Sequence, residues 1–468
     1  MDVPLPLLLG SLAVSVAVWY LVARHRGGGE AGTTKKAKAR PLPPGPWAWP
    51  VLGNLPQLGA ARDVRAGETV GPLFRLQFGR RWWRWGRQLQ QPAAQLRRRA
   101  RGQLPGPRVR ALRRQVRCAL CALHLFSGKA LARAPTVGRR VFAAADGGEA
   151  GAREFKEMVV ELMQLAGVFN VGDFVPALAW LDPQGVVGKM KRLHRRYDAM
   201  MDGIIREREK AAGDGGRDLL GVMLARMRDQ QPLADGEDGC INETDIKALL
   251  LNLFTAGTDT TSSTVEWAMA ELIRHPDVLA KAQGELDAVV GRGRLVSESD
   301  LPRLTYLAAV IKETFRLHPS TPLSLPRVAA EDCEVEGYRV PRGTTLLVNV
   351  WAIARDPAAW GEDALEFRPA RFLPGGAHAA VDVKGGDFEL IPFGAGRRIC
   401  AGLSWGLRVV TLMTATLVHA LDWELPEGVA ADKVDMEEAY GLTLQRAVPL
   451  MVRTKPRLLP AAYAYAAE

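Results

Sequence analysis

The sequence predicts a mainly α-helical protein with small β-sheets, preceded by a membrane-spanning helix. Three observations predict this. Segments with helical periodicity dominate from Arg153 onward, above all Ile246–Ile273. Between them stand only short strand-like pieces, Cys333–Val340 and Thr344–Val350. Near the start, Pro4–Ala23 is a charge-free apolar run of 20 residues. At helical rise such a run reaches about 30 Å, the thickness of a bilayer core.

The apolar run is followed by Arg24, Arg26, Lys35, Lys36, Lys38 and Arg40, while only Asp2 precedes it as a charged side chain. The positive-inside rule then places the body of the protein in the cytosol, with a retained anchor rather than a cleaved leader. Gly27–Arg40 reads as a flexible basic linker, and Pro41-Leu42-Pro43-Pro44-Gly45-Pro46 as a stiff extended hinge. The expected organisation is an anchor at 1–24, linker and hinge at 25–50, and one large domain at 51–468.

Composition narrows the class. Hydrophobic residues make up 47% of 468, enough for a large core. The net charge of +11 invites a nucleic-acid reading, but 13 arginines fall between Arg80 and Arg117 with no Lys, Asp or Glu among them. The remainder is close to neutral and carries no nucleic-acid motif, so no nucleic-acid partner is expected. The five cysteines form no disulfide framework, and the Cys118/Cys121 pair lacks the second pair or histidines that zinc would need.

Among the later elements, Lys189–Glu209 is amphipathic. The long helix candidate is preceded by polar capping residues at Asn242–Asp245 and stopped by His275-Pro276. Leu304–Leu317 is a second helix, stopped by His318-Pro319, and Leu403–Leu421 a last one. A Pro- and Gly-rich ordered loop is expected from Arg355 to Gly396.

The most specific signal is Phe393-Gly394-Ala395-Gly396-Arg397-Arg398-Ile399-Cys400-Ala401-Gly402. Glycines allow a tight turn that brings amides near a sulfur. A following helix would point its positive end at it, favouring the thiolate that ligates a metal. Arg398 offers a fixed cation suited to a carboxylate. A buried structural cysteine is the plain alternative. Five positions nevertheless match F-x-x-G-x-R-x-C-x-G, a coincidence expected on the order of once in ten thousand such chains.

That pattern resembles the signature of cytochromes P450. The resemblance implies the P450 fold, haem b with an axial thiolate from Cys400, and Phe393, Gly396, Arg398 and Gly402 around the cofactor. Ala256-Gly257-Thr258-Asp259-Thr260-Thr261 resembles the family's oxygen-activation helix. By that likeness Thr260 and Asp259 are catalytic, Asp259 relaying protons. Hydroxyl back-bonding to the helix is the common alternative for the threonines. Glu313 and Arg316 share a helix face. With Arg371 in Phe367-Arg368-Pro369-Ala370-Arg371-Phe372, they resemble a buried structural network. Arg327 resembles a second propionate-binding arginine.

Asn170–Pro176, Val381–Gly385 and Tyr440–Arg446 are similar to segments of plant flavonoid B-ring hydroxylases, the 3'-hydroxylases above all. The likeness implies a flavonoid substrate, O2, and electrons from an NADPH-cytochrome P450 reductase on the endoplasmic reticulum membrane. Ala256, Thr321, Leu323 and Thr443 are the expected substrate contacts, and a threonine at 443 resembles the 3'-hydroxylases. A 3',5'-hydroxylase or another plant P450 hydroxylase is the alternative.

The likeness weakens between about residues 60 and 134. Val70–Gly79 still resembles the family, but the arginine-rich sequence after it does not. If Gly106-Pro107-Arg108 aligns with the helix that faces the haem, Arg113 takes a propionate-binding position and Val109 stands where the family has tryptophan. A shifted reading frame or wrong splice is one explanation, divergence the other. Either admits a reading of another class: an inactive P450-like membrane protein.

Overall fold

The computed structural model describes residues 73–78, 81–86, 148–168, 170–174, 176–210, 219–228, 241–439 and 443–464. The expected anchor, the linker and hinge, and Arg113 lie outside the described residues. Among the described residues no helix is long and apolar enough to cross a membrane.

The principal helices are α1 (Gly148–Gly167), α2 (Val186–Lys210), α3 (Leu219–Arg228), α4 (Glu243–Arg274), α5 (Pro276–Val289), α6 (Thr305–Leu317) and α7 (Leu403–Ala420). The described strands are β1 (Leu73–Phe78), β2 (Arg81–Gly86), β3 (Arg327–Val328), β4 (Cys333–Val335), β5 (Tyr338–Val340), β6 (Thr345–Val348), β7 (Leu421–Glu424), β8 (Glu438–Ala439), β9 (Gln445–Arg446) and β10 (Arg453–Pro456). The largest sheet has the order β1-β2-β6-β3, and the others are two-stranded. β2 falls inside the stretch where the family likeness weakens. Its Arg-Trp-Trp-Arg-Trp-Gly text pairs antiparallel with β1 and parallel with β6, in keeping with the strand preference of aromatic residues.

Three expected boundaries move, each for a local reason. Cys333–Val340 is a hairpin, because Glu336 and Gly337 both take left-handed backbone (φ 49° and 78°) and reverse the chain. The strand expected to reach Val350 ends at Val348, because Asn349 caps a single helical turn, its side chain accepting from the Ala352 amide at 3.0 Å. The last helix stops at Ala420, because Leu421 pairs with Pro456 at the start of β7.

α4 organises the body. Asn242 and Asp245 form a reciprocal capping box at its start, their side chains accepting from each other's amides at 3.0 and 3.2 Å. Pro276 opens α5 and ends α4 at His275. Over 32 residues, α4 is about 48 Å long. Its first turns (Ile246, Leu249, Leu250) pack with Phe155, Met158, Tyr197, Met201 and Met223 of α1 to α3. Its last turns (Val265, Ala268, Met269, Leu272) pack with α5, α6 and α7. Residues 256–262 belong to neither core. Ala256, Gly257 and Thr258 are exposed in the middle of a helix whose far end is buried.

A second device fixes α6 to the chain after it. Glu313 and Arg316 have no solvent exposure, and Arg371 is buried as well. Arg316 donates to both Glu313 oxygens (2.7 and 2.9 Å) and to the carbonyls of Ala354, Ala364 and Glu366 at 2.6–2.9 Å. Glu313 also accepts from Arg371 Nε at 3.0 Å and from the Arg368 amide at 2.8 Å. The Arg316 guanidinium lies 5.0 Å from the Trp360 ring. A buried charge this well bonded is tolerated, whereas one deprived of its partner is not. Arg316→Met leaves three carbonyls and the Glu313 carboxylate short of donors. It should cost about 3–5 kcal/mol in denaturant unfolding of the detergent-solubilised chain. Arg316→Lys should recover little, because one ammonium cannot replace a planar fork with five donors.

Candidate active site

Cys400 lies between two glycine-dependent turns and the start of α7. Gly394 and Gly396 take φ of 72° and 70°, a left-handed backbone that a side chain would strain. The loop closes when the Cys400 amide donates to the Phe393 carbonyl at 2.9 Å. The Phe393 ring packs edge-on against Phe315 of α6, centroids 5.1 Å apart. Thus the structure brings the cysteine loop onto the helix that carries Glu313 and Arg316. The Gly402 amide stands beside the sulfur and favours its ionised form. Surrounding atoms push Cys400 up from its ordinary value, and the Gly402 bond offsets only part of this. A bound metal cation would supply the missing stabilisation, since a coordinating thiol loses its proton outright.

Arg327 and Arg398 approach the same loop. A Cβ on Gly394 would stand 3.5 Å from Arg327 Nη2. Burial and the charge of Arg398 together hold the Arg327 guanidinium below its ordinary pKa. Among the described residues no carboxylate pairs with either. Two neighbouring guanidiniums without an anion between them describe a site for an acidic ligand.

On α4, Thr260 Oγ1 donates to the Ala256 carbonyl at 2.6 Å, the ordinary helical back-bond. Gly257 opens onto free space: a Cβ there would meet nothing within 4 Å among the described residues. The Asp259 carboxylate is held at both oxygens. Thr443 Oγ1 donates to Oδ2 at 2.6 Å and Gln445 Nε2 to Oδ1 at 2.9 Å. Thr443, expected to meet substrate, is buried with its hydroxyl committed to Asp259. Ser320 joins the same corner, 2.9 Å from Thr264 Oγ1, and accepts the Leu444 amide at 2.9 Å. Thr321 and Leu323 follow it in the loop between α6 and β3, half-buried. A cavity of about 390 Å³ lies between α1, α2 and α4, lined by Phe155, Met158, Leu162, Tyr197, Leu251 and Thr255 among others. Neither Cys400 nor the expected substrate contacts line it, so the chemistry is placed by the Cys400 and Asp259 geometry instead.

A family model for cytochrome P450 matches residues 135–451. The chain belongs to the cytochrome P450 family. It is similar to a flavonoid 3'-monooxygenase of Oryza sativa subsp. japonica, 62% identical over 98% of this chain and 99% of the relative. A flavonoid 3'-monooxygenase of Petunia hybrida is 48% identical (92% and 95% covered), and a flavonoid 3',5'-hydroxylase of Crocosmia x crocosmiiflora 47% (92% and 94%). The alignment with the rice protein runs over 533 positions against 468 residues here, so this P450 lacks residues that its relative has. The family match begins after the arginine-rich window.

A P450 is a monooxygenase that carries haem on a cysteine thiolate and draws electrons derived from NADPH. The residues present fit that group: a reachable sulfur bonded by an amide, two unpaired guanidiniums beside it, and an uncovered turn of α4. The sequence did not single out Ser263, Trp267 and Ser320. Their only sequence signal is spacing, Ser263 and Trp267 falling four and eight residues after Asp259 on one helix face.

Behind the P450 site, His318 Nε2 donates to Glu271 Oε1 at 2.7 Å and stacks on Trp267, centroids 4.0 Å apart. Burial raises the Glu271 pKa, but bonds from His275 and His318 outweigh it and hold it at about 2. Burial keeps His318 below its ordinary pKa, and its unpartnered Nδ1 fits the neutral tautomer. Glu271 therefore stabilises the fold fully above its unfolded pKa near 4.5, and that share is lost as pH falls toward 2. Over that window Glu271→Gln should flatten the rise of unfolding midpoint with pH, as read by thermal unfolding of the solubilised chain.

Proposed function

We propose that this chain is a membrane-anchored P450 that hydroxylates the 3' position of a flavonoid B-ring. Its electrons would come from an NADPH-cytochrome P450 reductase on the same endoplasmic reticulum membrane. The observation that carries this reading is 62% identity to a flavonoid 3'-monooxygenase along nearly the whole of both chains. The Pro4–Ala23 run supports an anchor at 1–24 and a linker at 25–50, with the catalytic domain at 51–468 facing the cytosol.

Haem held by the Cys400 thiolate would supply the activation of O2. The chain's own groups do the rest. The Gly402 amide stabilises the sulfur as an anion, and Phe393 and Gly396 shape the loop that presents it. Arg327 and Arg398 would hold the propionates, with Arg113 in a third such role by its place in the sequence. Thr260 Oγ1 directs its O–H into a hydrogen bond to the Ala256 carbonyl, so its lone pairs remain free to accept a hydrogen bond from a group over the α4 opening. Asp259 is an acceptor fixed beside it, suited to pass a proton in from solvent. Ala256, Thr321 and Leu323 would bound the aromatic ring. The net reaction consumes a C–H bond, O2, two electrons and two protons, and yields a hydroxyl and water.

Microsomal membranes carrying the full chain, reductase and NADPH should convert naringenin under ¹⁸O2 to a B-ring catechol with one labelled oxygen. Cys400→Ala should abolish the conversion. A trihydroxylated B-ring would assign the 3',5' reaction instead. Absence of product from chain that carries haem would overturn the flavonoid assignment, and absence of haem would favour the inactive P450-like protein.

A further inference from the structure

The segment 443–450 lies along α4 in a pattern with helical spacing. Asp259, Ser263, Glu266 and Trp267 stand at steps of four, three and one residues, hence on one face. Each one bonds the segment. Thr443 and Gln445 donate to the two Asp259 oxygens. Ser263 Oγ and Trp267 Nε1 both donate to the Leu444 carbonyl, at 2.8 and 3.2 Å. Glu266 Oε1 accepts the Leu450 amide at 2.9 Å. Leu444 itself has no solvent exposure, and its amide is tied to Ser320. The backbone contacts fix where the segment lies. Among the described residues, the Thr443 and Gln445 side chains then act on one group only, the Asp259 carboxylate.

The two ends of that carboxylate differ. Oδ2 meets the hydroxyl of a buried threonine, whereas Oδ1 meets the amide of an exposed glutamine. A carboxylate with a free χ2 would sample many orientations over the uncovered turn of α4. One with a donor at each oxygen is held in a single plane, with one oxygen toward solvent and the other toward the interior.

We infer that Thr443 and Gln445 are positioning residues for Asp259, acting on the reaction through the orientation of its carboxylate. The inference rests on the proton-relay role proposed for Asp259 above. Productive turnover delivers two protons so that one oxygen atom leaves as water and the other enters the C–H bond. When delivery is misdirected, O2 takes the same two electrons and two protons and leaves as hydrogen peroxide. A misoriented Asp259 should therefore change how NADPH is divided between product and peroxide more than it changes flavonoid binding.

The test uses the full chain in membranes with reductase, comparing Thr443→Val, Thr443→Ser, Gln445→Leu and Ser263→Ala. The first readout is infrared. Difference spectra against Asp259→Asn isolate the Asp259 carboxylate stretches. These should shift in Thr443→Val and Gln445→Leu, but not in Thr443→Ser or Ser263→Ala. The second is NADPH consumed per product formed. It should rise roughly 2- to 10-fold in Thr443→Val, the range that the loss of one hydrogen bond sets, with the flavonoid Kd nearly constant. Thr443→Ser, which keeps the hydroxyl, should restore the ratio. Ser263→Ala loosens the same segment without touching Asp259 and should leave the ratio alone. An equal rise in Ser263→Ala and Thr443→Val would show a purely structural role and overturn the inference. So would unshifted carboxylate bands in Thr443→Val. If the parent chain forms no flavonoid product, the assigned reaction fails, and the infrared comparison alone decides whether the two residues hold Asp259.

Discussion

The Glu313–Arg316 pair is the constraint from which the rest of this fold follows. Two charges with no access to water are expensive, and only complete hydrogen bonding makes the arrangement viable. Arg316 satisfies its donors by drawing in carbonyls from Ala354, Ala364 and Glu366, while Glu313 draws in Arg371 and the Arg368 amide. A Pro- and Gly-rich stretch with little regular structure is thereby fastened to α6. The same helix presents Phe315 to Phe393, and so sets where the cysteine loop stands. The network does no chemistry of its own; it gives the Cys400 loop a rigid base.

α4 solves a different problem. A long helix packed along its whole length would leave no room for a cofactor and a substrate. Here its two halves are buried in two separate cores, and the turn between them stays open. Polar residues that would be costly in either core lie in that turn: Thr258, Asp259 and Thr260. The C-terminal segment then covers one flank of the opening and takes hold of the carboxylate.

Sequence reading reached the elements whose signals are local. Asn242 with Asp245 and His275 with Pro276 mark the ends of α4, and the glycines around Cys400 mark its loop. Glu313 and Arg316 were placed together by family likeness rather than by anything local, since Glu-x-x-Arg occurs on many exposed helices. What stayed hidden depends on contacts far apart in the chain. The Thr443–Asp259 bond spans 184 residues, and nothing in either segment announces the other. The glycine turn and helix start around Cys400 are visible in sequence, but the surrounding atoms that push its thiol up are not. Asn349 ended a strand early because its capping side chain competes with the pattern of its apolar neighbours.

The departure from the family between residues 60 and 134 makes haem ligation by Cys400 the decisive property of this particular chain. The most direct measurement is the absorption spectrum of the full chain in membranes after reduction and addition of carbon monoxide. The chain should show the strongly red-shifted Soret band of thiolate-ligated haem, lost in Cys400→Ala. A band at the shorter wavelength of haem without thiolate, or no haem at all, would contradict haem ligation by Cys400.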